Sequence, residues 1–446
     1  MCFLKDSLGK LVESDYESVF QRIYTPRIQV SGIKMLQKSA CSVLRVRLPT
    51  SLTVRRAGVS LSSTFSSGRG WVSTSHADNA ATRFAGVPVP RSFSSKSKVA
   101  KTADPEDPPP PSKEAPSISV FDNSTPIDFT DISRAHVNIR GGVVYTQCKL
   151  SPFLSKLCDM NVYLKCEFNQ YTGSFKERGA RNTLLTLLQL ETEGNTSFDR
   201  KKGVIAASAG NHALALAYHG GLLGVTATVV MPEVAPLAKV DKCRMLGANV
   251  IIEGAHIGES KEYAEGLAEE KGLIYVNGYD DRTIVSGAGT VGMEIIEQCP
   301  NVDAVVVPVG GAGLIAGIAC AIKTLKPKCK VYGVEPEFAA SYTEALRAGK
   351  PVFTEVTPTL ADGLAVPVVG SNAFEVARKY VDKTFLTDEQ SVAVACLRLI
   401  ENEKMVVEGG GCAGLTAVLP GGPLHKGEYN CASIRIRIRI RVRILS

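Results

Sequence analysis

Residues 203–231 read GVIAASAGNHALALAYHGGLLGVTATVVM, and the parsing of this stretch decides the fold. Ala213–Met231 is a run of 19 residues without a charge, long enough to cross a bilayer as a helix. Gly220-Gly221 interrupts that run, and the β-branched residues gather in two short segments, Val204-Ile205 and Thr226–Val230. A strand, a polar turn, a helix over His212–Tyr218 and a second strand, all in a buried core, account for both features. A second uncharged run of 19 residues, Ala304–Ile322, is broken by Pro308 and Gly310-Gly311 and parses the same way. Outward from there, Asn249–Ile252, Leu273–Val276, Ala304–Val307 and Lys330–Val334 read as strands, and Leu237–Leu246, Lys261–Lys271 and Thr290–Gln298 as helices. This alternation, which begins near Val162, predicts an α/β fold of open parallel sheets with helices on both faces. Ligands of such sheets sit beyond the C-terminal ends of the strands.

Three glycine-containing loops fall at such places. Ala207-Ser208-Ala209-Gly210-Asn211-His212 follows the strand Gly203–Ala206; its backbone N–H groups and the Ser208 hydroxyl make a seat for a carboxylate, and Asn211 offers an amide donor. The same hexapeptide also suits an ordinary helix cap. Val309-Gly310-Gly311-Ala312-Gly313-Leu314 joins the strand Ala304–Val307 to the helix Leu314–Thr324, and bare backbone at a helix N-terminus wraps a phosphate closely. Tight turns use glycine too. Asn169-Gln170-Tyr171-Thr172-Gly173-Ser174-Phe175-Lys176-Glu177-Arg178-Gly179-Ala180 is a polar turn that leads into the helical run Asn182–Leu190. A lysine at a helix start lies at the positive end of the dipole and is partly desolvated, and both effects favour the neutral amine that a nucleophile needs. Taken by itself, one lysine among 51 basic residues signals no more than surface charge.

The 446 residues, 44% of them hydrophobic, suffice for one large two-domain unit with appendages. Of the net charge of +7, residues 1–117 carry +8 and residues 434–446 carry +5, so that 118–433 is acidic at −6. Basicity belongs to the ends, and nucleic-acid binding is not expected. Twelve cysteines are scattered from Cys2 to Cys431 without a C-x-x-C pair or a histidine at zinc spacing, which argues for a reducing compartment and against a disulfide framework or a zinc site. From Met35 to Ala77 there is no acid, while Lys38, Arg45, Arg47, Arg55, Arg56 and Arg69 are spread among serines and apolar residues, as in a mitochondrial transit peptide. With Met35 as the start the destination is mitochondrial, and otherwise cytoplasmic. Ser92–Ser117, centred on Pro108-Pro109-Pro110-Pro111, reads as a linker. Residues 1–117 are thus expected to be a disordered extension, with the globular part starting near Ile118.

In order and spacing, the three loops resemble the S-F-K-E-R-G-A, S-A-G-N-H-A and G-G-G-G-L motifs of threonine/serine dehydratases (L-threonine ammonia-lyase-like) and serine racemases. These belong to the pyridoxal-phosphate-dependent, tryptophan-synthase-β-like family of fold type II, and the likeness runs from about Thr130 to Leu419. The resemblance implies two open twisted, mainly parallel sheets flanked by helices, with a large cofactor-binding domain over 118–202 and 281–433 and a small domain over 203–280 inserted into it. It implies pyridoxal 5′-phosphate as cofactor, held by Lys176 as a Schiff base, with Phe175 packed on the pyridine ring and Asn211 bonded to the 3′ oxygen. Gly310, Gly311, Ala312, Gly313 and Leu314 would cradle the phosphate. Ser208, Ala209, Gly210, Asn211 and His212 would bind the carboxylate of a small amino-acid substrate, and the assembly would be a homo-oligomer without a membrane span. The implied reaction is β-elimination from L-threonine or L-serine, in which the freed Lys176 amine takes the Cα proton and the products are a 2-oxo acid and ammonia.

Within the family, Ala209 stands where racemases have a serine as second proton donor, and alanine transfers no proton. Tyr279 stands where dehydratases have an aromatic residue. Both favour dehydration over racemisation. A family cation site is partly present at Glu335 and the backbone of Ala339, with Ser341 in place of an acid, so that Mg²⁺ or Ca²⁺ is expected to bind weakly if at all. Glu335 as a plain surface acid at a strand end is the other reading. Gln147, Ala288 and Ala312 depart from the family pattern without removing a catalytic group. After Leu419 the departure is larger: the family continues into a strand whose last small side chain faces the pyridine nitrogen, whereas here a polar stretch ends at Cys431 and Ile434–Ile444 alternates strictly with arginine. Burying a row of guanidinium groups in a central strand costs several kcal/mol each, so this low-complexity tail, 434–446, is not expected to replace the strand.

Three readings stand at this point: a threonine/serine ammonia-lyase, a serine racemase, and a non-catalytic relative whose active-site floor is missing. Incubating the purified 446-residue chain with L-serine separates them. Pyruvate and ammonia are expected at a rate reduced by the tail; steady D-serine without pyruvate identifies a racemase, and full turnover refutes the impairment.

Overall fold

The computed structural model describes residues 125–425 apart from Asn195 and Ser197, together with the backbone of 441–445. The extension, transit peptide and linker expected over 1–117 lie outside the described residues. Those residues all belong to one compact unit, Pro105–Ser446.

The chain opens with helix α1 (Phe129–Ile139), which Asp128 and Asp131 start as a reciprocal capping box. Strand β1 (Cys148–Leu150), α2 (Pro152–Cys158), β2 (Asn161–Lys165) and α3 (Lys176–Glu193) follow. The segment quoted at the outset folds as β3 (Val204–Ala207), α4 (Asn211–Leu223) and β4 (Ala227–Met231), and alternation continues through α5 (Leu237–Met245), β5 (Asn249–Ile252), α6 (Ile257–Lys271), β6 (Ile274–Tyr275) and α7 (Arg282–Gln298). The second uncharged run becomes β7 (Ala304–Pro308) and α8 (Gly313–Leu325). Beyond it lie β8 (Lys330–Pro336), α9 (Ser341–Ala348), α10 (Ser371–Tyr380), β9 (Lys383–Thr387), α11 (Glu389–Arg398), α12 (Gly409–Thr416) and β10 (Arg441–Leu445). Among the described residues no helix is long and apolar enough to cross a membrane.

Two sheets result. One has four parallel strands in the order β5-β4-β3-β6. The other has six in the order β1-β2-β10-β7-β8-β9, and only β1 is antiparallel to its neighbour. The side chains of β7 alternate between two cores: Val305 and Val307 pack with α7, α8 and α10 on one face, and Ala304 and Val306 with α2, α11 and α12 on the other. A strand buried on both faces must be apolar at every position, which explains why helix-like and strand-like readings compete for such runs.

The C-terminal tail contradicts its expectation. Arg441–Leu445 lies in the middle of the six-stranded sheet, paired in parallel with β2 on one side (Val442 opposite Val162) and with β7 on the other (Val442 opposite Ala304). Weighing only side-chain charge left out the backbone: β2 and β7 each present a row of N–H and C=O groups that need partners, and a strand of any composition supplies them.

A closed set of buried charges ties α3 to the six-stranded sheet. Arg178 is fully buried. Its guanidinium is bidentate to Glu167 (2.8 and 2.8 Å) and to Glu294 (2.6 and 2.9 Å), and Lys165, at the end of β2, completes the set at 2.5 Å from Glu294. Thr146 donates to Glu167 at 2.5 Å, and the Lys165 amine also donates to the Thr146 carbonyl at 2.7 Å. Burial pushes the Glu167 carboxyl up, but the Arg178 charge and hydrogen bonds outweigh it and hold the group below the usual carboxylate range. Two acids and two bases leave no net charge, and fork-to-fork geometry satisfies their hydrogen-bonding groups. Arg178→Leu strands two buried carboxylates with a single lysine, and urea unfolding should show a loss of about 3–5 kcal/mol; a loss under about 1 kcal/mol would make the set dispensable.

Candidate active site

Loops from the C-terminal ends of four strands converge: those after β2, β3, β6 and β7. Lys176 is the first residue of α3, so the helical run expected over Asn182–Leu190 extends back to it. The amine of Lys176 donates to the carbonyl of Gly278, just beyond β6, and lies 5.4 Å from the centre of the Phe175 ring. Loss of water pushes the amine down from 10.5 to about 8, with the Glu408 carboxylate pulling the other way. Phe175 itself is half-buried and packs against the large core beneath α7 and α8.

After β3, the Ser208 hydroxyl oxygen accepts from the amides of Gly210 (3.2 Å) and Ala213 (3.3 Å), which leaves its O–H free to donate. The reading of this turn as an ordinary cap is thus half right, for Ser208 does hold the start of α4. Ala209 packs into the core beside α4 and α5. Asn211 donates from Nδ2 to Glu408 at 2.7 Å. His212 is buried, and its Nε2 lies 3.1 Å from the Val276 carbonyl. Burial, reinforced by the Lys176 charge, pushes His212 down to about 3. The neutral ring must therefore carry its proton on Nε2, since a carbonyl only accepts, and Nδ1 is a buried acceptor with no partner among the described residues.

After β7 the chain passes through Gly310 and Gly311, turns at Ala312 and enters α8 at Gly313. The carbonyls of Gly311 and Ala312 accept from Gly370 (3.2 Å) and Ala316 (2.9 Å), whereas the amides of 310–314 donate to no carbonyl in the loops and turns among the described residues. These are the open donors of a helix N-terminus. Tyr279 closes one side: a Cβ on Gly311 would lie 2.4 Å from its ring and a Cβ on Gly313 2.1 Å from its carbonyl oxygen, so only glycine allows this contact. Ala312 has φ +69°, in the left-handed region that a glycine would occupy without strain.

A family model described as "Pyridoxal-phosphate dependent enzyme" matches residues 139–432. The chain belongs to that family. It is 44% identical over 293 residues to the L-threonine ammonia-lyase of Thermotoga maritima, with 66% of this chain and 71% of that protein covered. Among solved structures it is similar to the processed form of threonine deaminase isoform 2 from Solanum lycopersicum (TM-score 0.62, 33% identity, 72% of this chain and 90% of that one). It is also similar to maize serine racemase (TM-score 0.62, 32% identity, 66% and 87%).

The residues present fit the family's cofactor. Pyridoxal phosphate needs an anion cradle, and the unengaged amides of 310–314 at the start of α8 form one. It needs an amine that loses its proton near neutrality, and Lys176 is such a group. The two lie on either side of the Gly278-Tyr279 dipeptide, which touches both. Glu335 and Ala339, by contrast, make no hydrogen bond or ion pair with the other candidates among the described residues. Glu335 is fully buried, not a surface acid. Its two oxygens accept from the amides of Tyr342 (2.7 Å) and Thr343 (2.9 Å) and from the Thr343 hydroxyl (2.6 Å), so it holds the start of α9. Burial pushes its carboxyl up to about 7 against those bonds.

Glu408 and the Gly278 carbonyl were missed in the sequence. The run Glu408-Gly409-Gly410-Gly411 was the available signal, since an acid directly before a glycine-rich segment stands at a turn where a loop meets a helix start. The turn at Ala312 generates a prediction. Ala312→Gly removes a left-handed alanine at the cost of a more flexible unfolded chain, for a net gain of about 0.5–1 kcal/mol. A higher urea midpoint with an unchanged slope is the expected result, and an unchanged or lower midpoint contradicts it.

Proposed function

We propose that the chain is a pyridoxal-phosphate-dependent ammonia-lyase that dehydrates L-threonine, L-serine or both to a 2-oxo acid and ammonia. The observation that carries this reading is the Lys176 amine bonded to the Gly278 carbonyl, with His212 of the 208–212 turn packed against Gly278 and Gly311 and Gly313 of the 310–314 loop packed against Tyr279. When bound, pyridoxal phosphate supplies an electron sink for the negative charge left at Cα.

The chain's own groups do the rest. The amides of Gly310, Gly311, Ala312, Gly313 and Leu314 bind the phosphate, and Phe175 and Asn211 set the ring's plane and edge. The Lys176 amine would hold the group covalently and, when not so engaged, is placed to take the Cα proton, because desolvation leaves a useful fraction of it neutral near pH 7 to 8. The Ser208 O–H and the amides of Ala209, Asn211 and His212 orient the substrate carboxylate. Ala209 offers no proton from the opposite face, which favours loss of the hydroxyl over inversion at Cα. The similarity to maize serine racemase keeps racemisation as the second reading. The Glu335 oxygens already accept from the start of α9, which supports weak cation binding at most.

The test is direct. Protein supplied with pyridoxal phosphate should release ammonia and 2-oxo acid in equal amounts from L-threonine or L-serine, and Lys176→Ala should lower the rate by roughly 10²–10⁴-fold or more. Inversion of L-serine without ammonia would replace this reading by the second, and cofactor binding without either product would leave a non-catalytic relative.

A further inference from the structure

Glu408 stands at the start of α12, where it makes no cap bond to the helix. Its carboxylate faces two groups already assigned to the site. One is Asn211, whose Nδ2 donates to Oε1 at 2.7 Å. A carboxylate only accepts, so this bond fixes which end of the amide is nitrogen and turns the carbonyl oxygen and second N–H to other partners. The Asn211 side chain makes no other hydrogen bond among the described residues. The second group is Lys176. The Glu408 charge favours the protonated form of its amine, and it does so through space, because the amine's own bond goes to Gly278.

The remaining charges around Glu408 come from two other elements. Lys239 on α5 and Asp362, in the turn Asp362–Leu364, lie 3.5 Å apart, are both exposed, and oppose one another. His212, the other titratable group facing Lys176, is neutral. Glu408 is exposed as a residue, yet partial loss of water around its carboxylate pushes it above the usual carboxylate value, against the pull of the Asn211 bond.

We infer that Glu408 is a positioning residue with two separable effects: its hydrogen bond orients the Asn211 amide toward the cofactor edge, and in the cofactor-free site its charge favours the protonated over the neutral Lys176 amine. The inference rests on the proposed function for its cofactor half only. It assigns Glu408 no contact with substrate or reacting atoms.

Glu408→Gln and Glu408→Ala separate the effects. Both remove the charge, but glutamine keeps an oxygen that accepts from Asn211. Neither removes a helix cap, so both should fold. In cofactor-free protein, trace acetylation with acetic anhydride across pH, read on the Lys176 peptide by mass spectrometry, should give a wild-type midpoint of about 8. Both variants should lower that midpoint by roughly one pH unit, because only the neutral amine reacts and the loss of a nearby negative charge favours it. Titration with pyridoxal phosphate, followed by absorbance, should show Glu408→Ala binding roughly tenfold more weakly than Glu408→Gln, the difference being one hydrogen bond with a fixed geometry. A midpoint that stays at the wild-type value in both variants overturns the inference, and so does equal cofactor affinity of the two. If wild-type protein takes up no pyridoxal phosphate, the proposed function fails instead, while the labelling midpoint still decides whether Glu408 acts on Lys176.

Discussion

Everything in the site hangs from a charge that has no access to water. Arg178 stands two residues after Lys176 in the same helix turn, and its guanidinium is clamped between Glu167, which follows β2, and Glu294 of α7. An unpaired buried guanidinium is far too costly to tolerate, so α3 has essentially one position in which both forks close. That position sets the start of the helix, and with it the origin of the Lys176 side chain. The clamp works as a registration device, since apolar packing alone would allow α3 to slide by fractions of a turn.

Parallel sheets then do the gathering. Each strand delivers its loop at the same end, and the loops after β2, β3, β6 and β7 bring an amine, a hydroxyl with free amides, a backbone carbonyl and an anion cradle into one place. The cradle is held under tension: an alanine takes the left-handed turn, and two glycines admit Tyr279 at a distance that no side chain would permit. Strain at such a point persists because α8 behind it is buried along nearly its full length.

The architecture was largely legible because buried strands announce themselves as short β-branched runs. Asn249–Ile252 was bounded correctly, and Ala304–Val307 missed only Pro308. The three loops were legible too, each lying where a glycine-bearing turn meets a helix start. What escaped depends on partners distant in sequence. Asn211 meets Glu408 across 197 positions and Lys176 meets Gly278 across 102, and a backbone carbonyl leaves no mark in a sequence at all. Of the two readings of Glu335, a cation ligand or a surface acid at a strand end, the surface one fails, since α9 starts directly above β8 and offers two amides that bury it. The tail was misjudged because its arginines were weighed and its peptide groups were not.

The position of β10 has a consequence for how the protein is made. Every other strand of the six-stranded sheet has left the ribosome before Arg441–Leu445 is synthesised, yet this segment belongs between β2 and β7. Until it arrives, two facing strand edges stay open, and each can recruit another nascent chain as readily as its own. The four-stranded sheet, complete by Tyr275, has no such delay. Assembly is therefore staggered in time, with one sheet free to form once Tyr275 has emerged and the other waiting for its last strand, and the interval between them is when the chain most needs a chaperone.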